Sequence, residues 1–376
     1  MGQSRFGIFD VTVAFVSFFT LILDVGTDIL VTIHFFLNGE YLWGGLIASF
    51  IILPLLLMNI ISLKWHISDG LRTCRTILPH VFLIAPAQRY LLVIHLGVKS
   101  WRTSHPRFAD AALREMNDIC ILRLVNAFME SAPQLVLQLY LMLLTPSNVQ
   151  WMHYLSAASS LLSLAWSLTA YCDSLRLAYK TPSSRRFFAL VLHCAWHLLM
   201  GAARVVALVA FMLVFHMWIF LYTGLHWLAM TIWISVKGTD FGTNCAERWL
   251  FRIVLGFIYI FVFLNLHDGP ARSRMVPYFC LMLLENAALY AIWIVHSQHD
   301  SIGLTTAIPI VIFGGFFLGG LCLTIYYRWL HPSGPNYLFS VKATIPSAQH
   351  PNSRIVWTGQ HSAGCDISPD YVSHGW

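Results

Sequence analysis

The chain has 376 residues, of which 57% are hydrophobic and only 11% are charged, and its mean hydropathy is +0.66. Soluble domains carry about 25% charged residues, so this composition excludes an ordinary soluble protein and indicates an integral membrane protein. The net charge of +6 comes from basic residues scattered among apolar segments. That distribution argues against nucleic acid as a partner and favours basic loops that set the orientation in the membrane.

Ten apolar stretches follow one another along the chain, and they cover residues 8–36, 41–63, 80–98, 113–144, 149–172, 186–215, 217–236, 249–267, 276–297 and 304–329. The stretches at 80–98 and 249–267 have Lys- and Arg-containing loops at both ends. Because basic loops favour the cytoplasm, these two stretches are predicted to enter and leave the membrane on that side. The sequence therefore predicts an all-α polytopic membrane protein with eight transmembrane helices, two re-entrant half-helices and both termini in the cytoplasm.

The predicted segments repeat in order, because two spans, a half-helix and two further spans occur twice. Since both halves start from the cytoplasm, we predict two parallel pseudo-repeats. The predicted parts are an N-terminal membrane repeat (1–172), a cytoplasmic linker (173–185), a C-terminal membrane repeat (186–336) and a largely disordered cytoplasmic tail (337–376). The tail prediction rests on its polar composition, which includes Pro, Ser and His.

Six ionisable side chains fall inside the predicted spans, where each costs roughly 2.5–3.5 kcal/mol at mid-membrane. They are Asp24, Asp28, Arg123, Glu130, Arg204 and Glu285. Gln134 follows Glu130 by four residues and extends a polar stripe on that helix. Pro133, between them, is predicted to kink the helix and free backbone carbonyls near Glu130.

Two interpretations of these polar residues stay open. In the first, Asp24 or Asp28 forms ion pairs with Arg123 or Arg204 and holds the bundle together. In the second, the acids that lack a basic partner belong to a functional site, which is the default interpretation of surplus acid at membrane depth.

Motifs of conventional enzymes are absent from the sequence, which contains no phosphate-binding loop, nucleophile elbow or dinucleotide fingerprint. We therefore expect neither an enzyme nor a cofactor. His193 and His197 are four residues apart, but no carboxylate or Cys lies at a matching spacing, so no metal site is predicted.

Several strings between residues 20 and 332 resemble the XK-related family of phospholipid scramblases, and they are LDVGTDI, GEYLWG, LRLVNAFMESAPQLVLQLY, KGTDF, WLFRIVLGFIYIFVFLN and YYRWLHP. The resemblance implies a helical bundle that moves phospholipids between leaflets without ATP and exposes phosphatidylserine at the plasma membrane. It also implies regulation through the tail in apoptosis, and a single-pass membrane subunit or a lipid-transfer protein as partner.

Individual residues are carried over from this resemblance. Asp24, Asp28, Arg123 and Glu130 match the family's intramembrane polar positions, and Trp43 matches an aromatic residue near the outer end. Some members are activated when caspases cut their tail after an Asp-x-x-Asp motif. This tail has no such motif, and its one candidate cleavage position, Asp370, precedes the bulky Tyr371.

The sequence thus favours a passive phospholipid scramblase. The polar residues of its lipid path are predicted to be Asp24, Asp28, Arg123, Glu130, Gln134, Arg204 and Glu285. One alternative is a transporter or channel for a small solute, which would use the same buried acids. Another is a membrane scaffold that docks a lipid-transfer protein through the basic loops or the tail.

Overall fold

The structure is a computed structural model that describes residues 6–70, 73–178, 186–237, 245–264, 272–297 and 302–330. These residues form helices and no β-strand. The helices are α1 (Ile8–Leu37), α2 (Tyr41–Ser68), α3 (Cys74–Val81), α4 (Ala85–Thr103), α5 (Pro106–Met129), α6 (Ser131–Leu144), α7 (Trp151–Ala178), α8 (Arg186–Phe215), α9 (Trp218–Lys237), α10 (Cys245–Ile258), α11 (Arg272–His296), α12 (Ile302–Pro309) and α13 (Gly315–Ile325). Short π-helical stretches, Ile310–Gly314 and Tyr326–Leu330, complete the last span.

Eight helical segments are long and apolar enough to cross a membrane. They are Ile8–Leu37, Tyr41–Ser68, Pro106–Leu144, Trp151–Leu175, Arg186–Phe215, Trp218–Val236, Arg274–His296 and Gly303–Leu330. The predicted all-α polytopic fold and its number of spans are therefore confirmed. The order of segments matches the predicted pseudo-repeat, whose symmetry stays a prediction.

The first predicted half-helix, residues 80–98, forms part of a helical hairpin. The chain breaks after α3 and restarts with α4, and Leu83 between them has a φ of 59°. Val81 and Phe82 at this turn are 67% and 65% exposed. A hairpin with an exposed apolar tip suits insertion from one side of the membrane, although its depth stays a prediction.

The second predicted half-helix corresponds to α10, which has 14 residues. It is about 21 Å long, which is too short for a hydrocarbon core of ~30 Å. The chain then leaves the helix, and residues 259–264 are all buried, with at most 7% exposed. Irregular backbone is tolerated at membrane depth where protein surrounds it.

The third span is interrupted where Pro133 predicts a kink. The segment Pro106–Leu144 has 39 residues, and α5 ends and α6 begins on either side of Glu130, whose φ and ψ are −106° and −75°. Pro133 has no N–H to donate to the carbonyl of Met129, four residues earlier, so the ladder of hydrogen bonds is broken there.

Two boundaries differ from the prediction. The third span starts at Pro106 rather than at residue 113, and α7 continues to Ala178, beyond the predicted start of the linker at residue 173. Residues 179–185 and the tail from 337, with Asp370, lie outside the described residues.

Two helices organise the packing. In the first half α7 contacts α1, α5 and α6, and in the second half α8 contacts α9, α11 and α13. The two halves meet where α8 packs against α6 and α7. Gly315 permits the close approach of α13 to α8, since a Cβ there would lie 2.9 Å from the carbonyl oxygen of Leu199.

Candidate functional site

The first-half cluster is a buried group of polar side chains between α1, α5, α6 and α7. Its predicted members are at most 3% exposed, and they are Asp24, Asp28, Arg123, Glu130 and Gln134. The spacing on each helix explains this arrangement, because side chains four residues apart lie on one face. The structure thus brings these five predicted residues together inside the protein rather than on its lipid-facing surface.

The carboxylates of the cluster are held mainly by hydroxyl groups. Asp24 accepts hydrogen bonds from Ser131 at 2.7 Å and from Ser160 at 2.9 Å. Asp28 accepts one from Ser156 at 2.5 Å. Sequence reasoning missed these serines. A signal was available, because Ser156, Ser160 and Ser163 recur along α7 at helical spacing and form a small polar face on that span.

Acids outnumber bases in this cluster. The guanidinium of Arg123 lies 3.7 Å from a carboxylate oxygen of Asp24 and donates to Ser163. In the described part of the chain, neither Asp28 nor Glu130 has a basic side chain within 4.0 Å, and Glu130 accepts a hydrogen bond from Asn126. The expectation that some acids lack a basic partner is therefore met by these two residues.

Many polar atoms of the cluster are also buried without a hydrogen-bond partner in the described residues. They are Oδ2 of Asp28, Nη1 of Arg123, Oδ1 of Asn126, Oε1 of Glu130, both amide atoms of Gln134 and Oε1 of Gln138. Each such atom costs about 1–3 kcal/mol. The protein alone therefore satisfies this cluster poorly, and it would gain from contact with a further polar group.

The second-half cluster is built around Arg204, which is completely buried. Its guanidinium forms an ion pair with Glu285 at 2.8 Å and donates to Asn286 at 2.9 Å and to the carbonyl of Ile260 at 2.8 Å. The interpretation that pairs Arg204 with Asp24 or Asp28 is therefore wrong. Partner choice depends on which helices pack together, and α8 presents this side chain to α11 instead.

The carboxylate of Glu285 also has hydrogen-bond partners from α9. Tyr222 donates to it at 2.7 Å, and Nδ1 of His226 lies 2.9 Å from its other oxygen. Both residues come from α9, four positions apart, and sequence reasoning missed them. None of the contacts of Arg204 or Glu285 within the described residues involves the first-half cluster, so the seven predicted path residues fall into two separate groups.

An apolar cavity of about 470 Å³ lies beside the first-half cluster, between the two halves of the bundle. Its walls come from α2, α5, α6, α8, α9 and α10, and they include Trp43, Phe50, Met129, Pro133, Leu137, Tyr140, Leu208, Met212, Phe220, Trp227 and Phe257. The volume is within the range of binding pockets for small organic molecules. Trp43, predicted only as an outer-end aromatic, is thus one wall of a cavity.

Comparison with known proteins supports the resemblance. The family model described as "XK-related protein" matches residues 12–332, a range that contains both clusters and the cavity. XK-related protein 8 of Pan troglodytes is 29% identical over 327 residues, which are 83% of this chain and 81% of that protein. The match of the family model covers far more than half of the sequence. This chain belongs to the XK-related family.

Proposed function

We propose that this protein is a passive, ATP-independent phospholipid scramblase that exposes phosphatidylserine on the outer leaflet. One observation carries the proposal. The break between α5 and α6 has an apolar cavity on one side and an incompletely satisfied polar cluster on the other. A phospholipid has the same two chemistries, because its acyl chains need apolar surroundings and its headgroup needs polar partners.

The apolar side would accept acyl chains. The cavity is walled by aromatic and aliphatic side chains, among them Trp43, Leu137 and Trp227. Such walls offer dispersion contacts but few hydrogen bonds, so they suit hydrocarbon and not a charged solute.

The polar side would lower the cost of carrying a headgroup through the hydrocarbon. Asp28 and Glu130 lack basic partners and would attract the ammonium group of a phospholipid, while Arg123 has an unused N–H for its phosphate. No bond is made or broken in this transfer, so the proposal includes no enzymatic step and no cofactor.

The second-half cluster receives a different role. Arg204 and Glu285 satisfy one another and the irregular backbone after α10, so their contacts support a structural function. Their membership of the lipid path stays a prediction, which Glu285→Gln tests through its effect on the scrambling rate.

Location, regulation and partners are proposed from the loop charges and from the family. The basic loops favour cytoplasmic termini. By analogy with the family we propose the plasma membrane as the location, and a single-pass subunit or a lipid-transfer protein as partner. Control by cleavage of the tail, with Asp370 as the candidate position, is tested by comparing the full chain with one truncated after residue 336.

The test of the main proposal uses purified protein in liposomes that contain a fluorescent phospholipid in both leaflets. Added dithionite quenches the outer leaflet only, unless the label exchanges between leaflets. We expect quenching to extend to the inner-leaflet label when the protein is present. A protected fraction equal to that of protein-free liposomes, for both the full and the truncated chain, would refute the proposal.

A solute transporter is the second candidate, and the surplus of buried acid in the first-half cluster favours it. The same liposomes distinguish the two functions. A transporter would give solute-dependent currents or proton movement without exchange of the lipid label, whereas a scramblase gives label exchange without added solute.

A further inference from the structure

We propose that α6 turns about the break at Glu130 and thereby carries its polar face into the apolar cavity. This inference rests on the proposed scramblase function and names the movement that opens its path. In the described structure the headgroup partners are sealed between helices, while the cavity next to them is apolar. A phospholipid needs both at once, so one of the two surfaces must move.

The apolar and the polar face of α6 are formed by neighbouring residues in the sequence. Pro133 and Leu137 face the cavity, and Gln134 and Gln138 face the polar cluster. Successive residues of a helix are separated by about 100° of rotation. Turning α6 by one position would therefore carry Gln134 to the direction of Pro133, and Gln138 to that of Leu137. The stripe would then line the cavity.

The break at Glu130 allows α6 to move separately from α5. Pro133 removes the hydrogen bond that would reach the carbonyl of Met129, whereas the neighbouring bonds from Glu130 to Asn126 and from Gln134 to Glu130 remain. The helix is therefore weakened at this point, where Glu130 has a φ of −106° and a ψ of −75°. The α5 half stays anchored because it packs along α4 and α7. Pro133 thus acts as a positioning residue, since it contributes the mechanical break and not a polar contact.

Hydrogen bonds from three of its side chains hold α6 in its present orientation, and the first runs from Ser131 to Asp24 at 2.7 Å, beside the break. Nε2 of Gln138 donates to Ser156 of α7 at 2.8 Å. The hydroxyl of Tyr140 lies 3.0 Å from Nδ1 of His216, which follows α8 and has a φ of 44°. Against these three bonds stand the unsatisfied amide atoms of Gln134, which would meet a lipid headgroup after the turn. The headgroup would have to replace the bonds that α6 gives up on its polar side.

A reversible cross-link between α6 and α7 tests the movement. The pair Gln138→Cys and Ser156→Cys is joined in the purified protein by a short bifunctional methanethiosulfonate, which dithiothreitol removes. We expect the cross-linked protein to scramble at least about tenfold more slowly than the same sample after reduction, because the bridge excludes the turned state. Recovery on reduction shows that the fold survived.

A matched pair and the two single variants serve as controls. The pair Thr27→Cys and Ser159→Cys joins α1 to α7 and leaves α6 free to turn. The hydroxyl groups of Thr27 and Ser159 are 2.8 Å apart in the native protein. This cross-link should not slow scrambling. The single variants correct for reaction of the reagent with native cysteines.

Equal scrambling rates for the cross-linked and the reduced Gln138–Ser156 pair would overturn the proposed turn and leave the scramblase function standing. Absence of lipid exchange in the unmodified protein would overturn the function itself.

A second pair of variants keeps the inference open to refutation if the reduced double-cysteine protein is inactive. Tyr140→Phe removes the bond to His216 without changing the apolar surface, and it should raise the scrambling rate several-fold. Pro133→Ala restores the missing N–H and should lower the rate, with a normal amount of folded protein. Unchanged rates in both would also overturn the proposal.

Discussion

The two polar clusters use similar side chains, but in the described part of the chain only the second-half cluster provides its charged groups with a full set of hydrogen-bond and ion-pair partners. In the second-half cluster, Arg204 and Glu285 are surrounded by partners from α9, α11 and the backbone after α10. In the first-half cluster, Asp28 and Glu130 have no basic partner among the described residues, and amide groups beside them are unsatisfied. A buried charge is therefore not by itself a sign of function. The clusters differ in the balance of partners around their charges, and this difference is the basis for proposing a structural role for one cluster and the lipid path for the other.

The largest expected effect comes from breaking the satisfied cluster. Arg204→Met leaves Glu285 without its guanidinium partner, and removal of one member of a buried pair costs about 3–5 kcal/mol. We expect a strong fall in the melting temperature and in the yield of monodisperse protein. The double variant Arg204→Met with Glu285→Gln should recover much of this loss, because no unpaired charge remains. A double variant no more stable than the single one would contradict the structural role.

A pair of matched neutralisations compares the clusters directly. Glu130→Gln should lower the scrambling rate by about tenfold, which equals about 1.4 kcal/mol, while stability stays the same or rises because an unpaired carboxylate is removed. Glu285→Gln should show the reverse pattern, with lower stability and an unchanged rate per folded molecule. The measurements are the dithionite assay and thermal unfolding in the same detergent. If both variants changed the rate alike, Glu285 would belong to the lipid path after all.

The smallest effects are expected from removing one hydroxyl donor in each cluster. Ser160→Ala removes a donor to Asp24, and Tyr222→Phe removes a donor to Glu285. Each should cost about 1–2 kcal/mol of stability. Only Ser160→Ala should also change the scrambling rate, because it alters the charge environment of the proposed path. A change of rate in Tyr222→Phe alone would reverse the assignment of the two clusters.

Much of the fold follows from hydropathy and loop charge. The apolar stretches give the spans, and the basic loops on both sides of 80–98 and 249–267 exclude these two from the count, which agrees with the eight spans observed. The break near Glu130 follows from Pro133, because a missing N–H acts locally. The hairpin of α3 and α4 could not be predicted from the sequence. Its turn depends on Leu83 in the left-handed conformation, which is uncommon for an aliphatic residue and has no sequence signal.

The charged members of the two candidate clusters could be predicted from the sequence, but their hydroxyl and imidazole partners and their connections could not. Spacing on one helix places Asp24 and Asp28 on a common face, and acids in excess of bases predict that some stay unpaired. Which acid meets which base depends on the packing of α8 against α11, and that is a property of the whole bundle. The cavity is likewise invisible in the sequence, because its walls come from helices far apart along the chain.

The irregular stretch after α10 has a consequence for how this architecture could change. Its carbonyl groups at Tyr259, Ile260 and Leu264 accept hydrogen bonds from side chains, so the unwound backbone is itself part of the protein interior. Extending α10 into a ninth membrane crossing would withdraw those carbonyls into helical bonds, and the guanidinium of Arg204 would lose the carbonyl of Ile260 as a partner. The short length of this helix thus leaves backbone carbonyls available to side chains from three other helices, and insertions between residues 259 and 264 should destabilise the fold.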